Sequence, residues 1–196
     1  MDSGAKHSNA FLSAIAFILP HEEQFARGHW GDENFVVTEN VSGDSGGLTK
    51  YGIDRKSHPG VDIARLTRAG AIAIYWTEWL FRRLDLLPEK LAVAVFDVFV
   101  NGGTPIRWLQ AAINKVGFPM SQHLAARDFK LPLTVDGDPG RKTLAAAAAC
   151  DQAAVLRYFI GQRDARFVAL AHGPRAKFLK GWEARDRDLE KYLAAA

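Results

Sequence analysis

The sequence has one cysteine and no long apolar run, and both features narrow the class of protein. Cys150 is the single cysteine among 196 residues, so neither an intrachain disulfide nor a zinc site made of several cysteines can form. No stretch approaches the roughly 18 apolar residues that a membrane-spanning helix needs. Within residues 10–19 the apolar side chains recur at helical spacing, and we expect a core helix there rather than a signal peptide.

Metal-binding and phosphate-binding motifs are also missing. His21-Glu22 begins like a zinc-peptidase helix, but Phe25 stands where the second histidine is required. The turn at residues 136–138 lacks the later bidentate acid of a calcium loop. No glycine-rich phosphate loop or nucleophile elbow is present. We therefore expect a protein that uses neither a metal ion nor an organic cofactor.

The charge is nearly balanced overall but uneven along the chain. Lysine and arginine number 25 against 22 acids, which gives a net charge of +3, and the whole excess lies in residues 151–196 with 9 basic and 6 acidic side chains. A basic surface favours an anionic partner such as cell-wall polymer, lipid headgroups or nucleic acid, although a solvated helix face explains so small an excess equally well. Because no basic-aromatic motif or recognition helix accompanies it, we do not expect nucleic-acid binding.

Helix is the dominant predicted element, because apolar side chains recur at three- and four-residue spacing. Helical spacing covers most of the chain, and the predicted segments are 9–24, 62–81, 88–101, 108–117, 141–150, 152–171 and a final helix from 174. Glycines and acids alternate through residues 27–47, which predicts a small β-hairpin or loop region near residues 30–50. Prolines and glycines cluster in residues 118–140, so we predict two regions, 9–117 and a C-terminal helical region at 118–196.

One group of residues has the composition of a glycosidase site. Glu22 ends an apolar helix, where partial desolvation raises a carboxyl pKa and suits it to act as a general acid. Asp44 and Thr49 follow across the glycine-rich segment and supply a second carboxylate and a hydroxyl. An acid, a second carboxylate and a hydroxyl are the minimum apparatus for hydrolysing a glycosidic bond. Glu23 is the competing candidate for the acid.

Four further residues are candidates for substrate contact. Pyranose rings stack on aromatic side chains, and Tyr51 and Trp30 each lie beside a loop motif. Asp97 and Asn101 are four residues apart, so one helix face can point both toward the same cleft. Asn101 before Gly102 is equally consistent with an ordinary helix end.

The motifs resemble glycoside hydrolase family 108, the lysozyme-like N-acetylmuramidases of phage endolysins and secretion-linked muramidases. The resemblance is carried by residues 17–22, 44–53 and 94–103. The remainder is similar to a predicted peptidoglycan-binding domain through residues 135–137, 140–144, 162–163, 178–182 and Arg185. The resemblance to family 108 implies a mainly α-helical, lysozyme-like fold. It also implies hydrolysis of the β-1,4 bond between N-acetylmuramic acid and N-acetylglucosamine, with Glu22 as the acid and with Asp44 and Thr49 assisting.

Two departures from the family pattern keep an alternative open. Glu23 and Gln24 stand where the family usually has two glycines, and the segment from Glu22 to Asp44 is longer than expected by roughly ten residues, as loops tolerate. The alternative is a non-catalytic peptidoglycan-binding or protein-interaction module on the same fold. The expected partner is the peptidoglycan glycan strand. We expect a monomer, made in the cytoplasm, that reaches the periplasm or wall through a holin or a secretion system.

Overall fold

The computed structural model describes residues 7–24, 48–118 and 131–195. These residues form two compact units, and each is described by itself. One unit contains residues 15–24 and 48–78, and the other contains residues 7–14, 79–118 and 131–195. The domain boundary predicted between residues 117 and 118 is a separate matter from these two units, and it stays a prediction.

The smaller unit holds the end of a helix, a short hairpin and most of a second helix. Helix α1 spans Asn9–Gln24, strands β1 and β2 span Thr49–Lys50 and Ile53–Asp54, and helix α2 spans Arg68–Phe81. The strands are antiparallel, with Thr49 opposite Asp54 and Lys50 opposite Ile53. A 3-10 turn at Ile63–Arg65 precedes α2, and the Asp62 side chain accepts from the Arg65 N–H at its start. The described hairpin therefore begins at the end of the range predicted for it.

The larger unit is built from helices. They are α3 at Glu89–Val100, α4 at Pro105–Val116, α5 at Arg141–Ala149, α6 at Gln152–Leu170 and α7 at Leu179–Ala195. Two 3-10 segments, Leu84–Leu86 and Gly173–Phe178, precede α3 and α7. The rings of Phe11, Trp79 and Phe96 meet at centroid distances of 5.2–6.5 Å in its core, so Trp79 is a packing residue.

Local sequence explains where these helices begin and end. Pro105 lies in the first turn of α4, where its missing N–H is not needed. The Asp151 side chain accepts from the Ala154 N–H at 3.0 Å and caps α6. Asn101 ends α3, and Gly102 follows with φ of 79°. The predicted start of the last helix at residue 174 is corrected by five residues, because Gly173–Phe178 adopts 3-10 geometry.

Helix α4 also holds the segment that contains the predicted turn at residues 136–138. The Gln110 amide donates to Asp136 Oδ1 at 2.8 Å and to Thr143 Oγ1 at 3.1 Å, and its carbonyl accepts from the Gly137 N–H at 2.9 Å. Asn114 exchanges two hydrogen bonds with the Leu133 backbone at 2.6 and 2.9 Å. The aspartate-glycine turn is therefore a structural element that α4 anchors.

The mainly α-helical, lysozyme-like prediction is confirmed: seven α-helices and one two-stranded sheet occur in the described residues. Among those residues, no helix combines the length and the apolar character required to cross a membrane.

Candidate active site

The candidate acid, Glu22, lies in the last turn of α1. Glu22 is partly exposed, and it follows Pro20 by two positions. His21, its neighbour, makes a hydrogen bond through Nδ1 to the Phe17 carbonyl at 2.9 Å, and the two rings lie 4.4 Å apart. His21 therefore packs against Phe17, one turn earlier in α1. Glu22 lies at the end of an apolar helix, as the sequence predicted.

The hairpin turn that faces Glu22 has an unusual backbone. Tyr51 and Gly52 connect the two strands, with φ of 55° and 76°. A two-residue hairpin loop of type I′ needs positive φ at both positions, and for a residue other than glycine this conformation costs roughly 1–2 kcal/mol. The Tyr75 hydroxyl, on α2, donates to the Tyr51 carbonyl at 2.7 Å. This hydrogen bond from α2 stabilises the strained backbone of the hairpin turn.

Glu22 and Tyr75 meet at Gly52. A Cβ atom placed on Gly52 would lie 2.6 Å from the Tyr75 hydroxyl oxygen, 2.8 Å from Glu22 Cγ and 2.9 Å from Glu22 Oε2. A side chain at this position would displace the Glu22 carboxyl or the Tyr75 hydroxyl and would adopt a strained positive φ, so glycine is strongly favoured. The end of α1, the hairpin turn and α2 therefore converge so that the glutamate carboxyl packs against the backbone of the turn.

The remaining predicted residues of this region divide into two groups. Thr49 and Tyr51 belong to the hairpin whose turn contacts Glu22, and both are partly exposed. Between them Lys50 is 4% exposed, and its ammonium lies 5.5 Å from the centre of the Tyr51 ring. Asp44 and Trp30 lie outside the described residues, so their predicted roles have no structural counterpart here.

Asp97, predicted to face a cleft, instead lies at the centre of a buried ion cluster in the larger unit. It has no exposed surface. Arg185 donates to its Oδ1 from Nε at 3.0 Å and from Nη2 at 2.6 Å, and Arg163 Nη1 donates to its Oδ2. Because two arginines occupy both oxygens, the structure replaces the predicted substrate contact with a structural role. Asn101 is exposed and donates to the Asp97 carbonyl at 2.9 Å, as a helix-ending residue does.

The buried cluster contains a second carboxylate, Asp186. Arg163 Nε lies 3.0 Å from Asp186 Oδ1. Burial opposes ionisation of Asp97, but the charges of Arg163 and Arg185 outweigh it and lower the pKa of Asp97. Burial raises the pKa of Asp186 to about 8; Arg163 opposes this rise, and Asp164 and Asp97 add to it.

This geometry also corrects the view of the basic C-terminal segment. Arg163 and Arg185 are 1% and 5% exposed, so their charges are used internally. The other seven basic residues of the segment are exposed, and they are Arg157, Arg166, Arg175, Lys177, Lys180, Arg187 and Lys191. Trp182 stacks on Phe167 with ring centroids 5.0 Å apart, so this tryptophan anchors α7 to α6.

Other reactive groups in the described residues offer no alternative site. No cluster of three or more histidine, cysteine, aspartate or glutamate side chains is arranged there to hold a metal ion. Burial raises the pKa of the Cys150 thiol to about 11, which keeps it protonated and unreactive. Tyr75 is a residue of the candidate site that the sequence did not indicate: its spacing marks it as an α2 core residue, and nothing in the sequence indicates the partner of its hydroxyl.

Comparison with protein families agrees with the resemblance. Residues 36–103 match Glycosyl hydrolase 108, and residues 104–187 match the Predicted Peptidoglycan domain. Glu22 precedes the first match, whereas Thr49, Tyr51, Asp97 and Asn101 lie within it. The two matches meet at the start of α4, and the ion pairs from Asp97 to Arg163 and Arg185 cross that junction. The two matched segments are therefore joined by a shared buried cluster.

One solved structure shows the fold. The chain is similar to the structure of Brucella abortus SagA, with a TM-score of 0.63 and 23% sequence identity over 94% of this chain and 95% of that chain. At this identity the likeness is one of fold. Among curated proteins no match is found.

Proposed function

We propose that this chain cleaves the β-1,4 bond between N-acetylmuramic acid and N-acetylglucosamine. Its residues 36–103 match Glycosyl hydrolase 108, and its residues 104–187 match the Predicted Peptidoglycan domain. The coarser assignment, a glycoside hydrolase related to peptidoglycan, follows from the two matches themselves. The identity of the bond and the roles of individual residues are the parts proposed.

The observation that carries the proposal is the contact between Glu22 and the hairpin turn. Glu22 lies outside the family match, but its carboxyl packs against Gly52, which lies inside it. This contact holds the carboxyl in place at the end of an apolar helix while the residue stays partly accessible, and a general acid needs both a fixed position and access to substrate. In this proposal Glu22 protonates the glycosidic oxygen as the bond to the sugar breaks.

Assistance comes from the hairpin region. Asp44 and Thr49 would position the attacking water or stabilise positive charge on the sugar ring. Tyr51 and Trp30 would contact sugar faces, with Asn101 as a further contact. Tyr75 would act as a positioning residue, because its hydrogen bond fixes the turn against which Glu22 rests. The chemistry requires no cofactor.

The same proposal covers where the protein acts. Its partner would be the glycan strand of peptidoglycan, and the chain would work as a monomer in the periplasm or wall after synthesis in the cytoplasm. A holin or a secretion system would supply the route of export.

The test is hydrolysis of purified sacculi by the wild type and by Glu22→Gln. We expect Glu22→Gln to lower the rate at least 100-fold, the scale of a lost general acid, with an unchanged melting temperature. Glu23→Gln is the matched control and should retain most activity. Asp44→Asn and Thr49→Ala should lower turnover while pelleting with sacculi is kept.

Mass spectrometry of the released fragments tests the bond. Reducing ends on N-acetylmuramic acid support the proposal, and reducing ends on N-acetylglucosamine would overturn it. A wild-type protein that pellets with sacculi but releases no soluble fragments would favour the non-catalytic binding module instead.

A further inference from the structure

An open groove of about 500 Å³ lies in the larger unit, formed by residues of three helices. Lys90 contributes from the first turn of α3, Arg157 from α6 and Glu190 from α7. Its volume is within the range of about 300–1,000 Å³ that small-molecule sites occupy. None of the candidate catalytic residues lines it.

The floor of the groove is aliphatic. Leu156, Ile160 and Leu193 form it and are nearly buried, and Ala153 and Ala194 lie beside them. Among the lining residues there is no aromatic side chain. Sugar rings are held by flat aromatic faces, so this surface is poorly suited to a glycan and well suited to methyl-sized side chains.

The rim of the groove carries charges that the described part of the chain leaves without ion-pair partners. Lys90 and Arg157 supply two cations and Glu190 one anion. A small number of charged groups around an apolar floor gives a binding site its orientation and specificity. The excess of one positive charge selects an occupant that is acidic overall and also carries an ammonium group.

We propose that this groove binds the stem peptide of peptidoglycan, a short acidic peptide with alanine methyl groups and a diamino acid. Its carboxylates would pair with Lys90 and Arg157, its ammonium with Glu190, and its methyl groups would contact Leu156 and Leu193. The inference rests on the proposed function only in taking peptidoglycan as substrate. It adds recognition of the peptide to cleavage of the glycan, through residues that the cleavage does not use.

The test is calorimetric titration of the full chain with three soluble probes. These are a stem tetrapeptide of alanine, glutamate, diaminopimelate and alanine, the same peptide with its carboxylates amidated, and peptide-free chitotetraose. We expect the free peptide to bind, the amidated peptide to bind roughly tenfold more weakly, and chitotetraose to leave peptide binding unaffected.

Two pairs of variants localise the binding. Arg157→Glu should weaken the peptide at least about fivefold, whereas the exposed control Arg175→Glu should change it less than about twofold. Ala153→Trp fills the groove and should abolish binding, whereas Ala165→Trp, at an exposed position of the same helix, should not. Melting temperatures show that each variant is folded.

The outcomes separate this inference from the proposed function. Glu22→Gln should bind the peptide like the wild type even where it no longer hydrolyses sacculi. Absence of peptide binding, equal effects of Arg157→Glu and Arg175→Glu, or displacement of the peptide by chitotetraose would each overturn the groove as a stem-peptide site. If Glu22→Gln keeps full hydrolysis while the groove variants lose the peptide, the proposed acid fails and this inference stands.

Discussion

Glu22 and Asp97 lie in motifs of the same family resemblance, yet they have opposite surroundings. Glu22 is partly exposed, and its carboxyl packs against the backbone of a hairpin turn. Asp97 is fully buried, and two arginines bind both of its oxygens. An acid that is to exchange a proton with substrate needs access and a neutral form, whereas an acid that joins helices needs fixed cations. Burial and the two arginines give Asp97 a structural role, whereas Glu22 stays partly accessible.

The largest expected effect tests the structural half of this comparison. Asp97→Asn removes the carboxylate that Arg163 and Arg185 share in the buried cluster, and we expect a loss of about 3 kcal/mol in the free energy of unfolding. Urea denaturation measures it. Asp85→Asn, at an exposed position, is the matched control and should change stability by less than about 0.5 kcal/mol. If Asp97→Asn lowered hydrolysis and left stability unchanged, the predicted substrate contact of Asp97 would be favoured instead.

The second effect concerns Asp186 and its dependence on pH. Because the pKa of Asp186 is raised to about 8, the folded protein binds this proton more tightly than the unfolded chain does. The protonated Asp186 therefore adds to the free energy of unfolding. This contribution is complete below the pKa of the aspartate in the unfolded chain, and it is lost as the pH rises toward 8. We expect the urea midpoint of the wild type to fall between pH 5 and 8, and Asp186→Asn to flatten that fall. An identical slope in both proteins would contradict the assignment.

A smaller effect tests the catalytic half. Tyr75→Phe removes the hydrogen bond to the Tyr51 carbonyl, so the strained turn loses about 1 kcal/mol of support. We expect kcat on sacculi to fall roughly fivefold with little change in KM, since the role proposed for Tyr75 is to position Glu22 and not to bind substrate. Tyr158→Phe, at an exposed position, is the control. A change confined to KM would show that Tyr75 contacts the glycan.

The smallest effect concerns the exposed part of the basic segment. Replacing Lys177 and Lys180 by alanine should weaken pelleting with sacculi at low salt and flatten its salt dependence, because exposed charges are screened over roughly 10 Å at 0.1 M salt. Hydrolysis of a soluble glycan fragment should be unaffected. Unchanged pelleting across a salt series would contradict a role of this segment in wall binding. Its role would then be structural, like that of the buried Arg163 and Arg185.

The sequence by itself determined the helices, the resemblance and the short list of acids. Helical spacing and Asn101-Gly102 are local signals, and they predict the helices and the end of α3 within a few residues. The motif at residues 44–53 carries the family likeness without any coordinates. These features could be predicted because neighbours in the chain are sufficient to produce them.

Only the tertiary structure decided that Asp97 is buried while Glu22 is partly accessible. The partners of Asp97 are 66 and 88 residues away, and no spacing rule relates Arg163 and Arg185 to an acid on α3. The contact of Glu22 and Tyr75 with Gly52 likewise joins three segments distant in sequence. A charge is either desolvated and paired or left accessible according to which segments pack around it, and packing is a property of the folded chain.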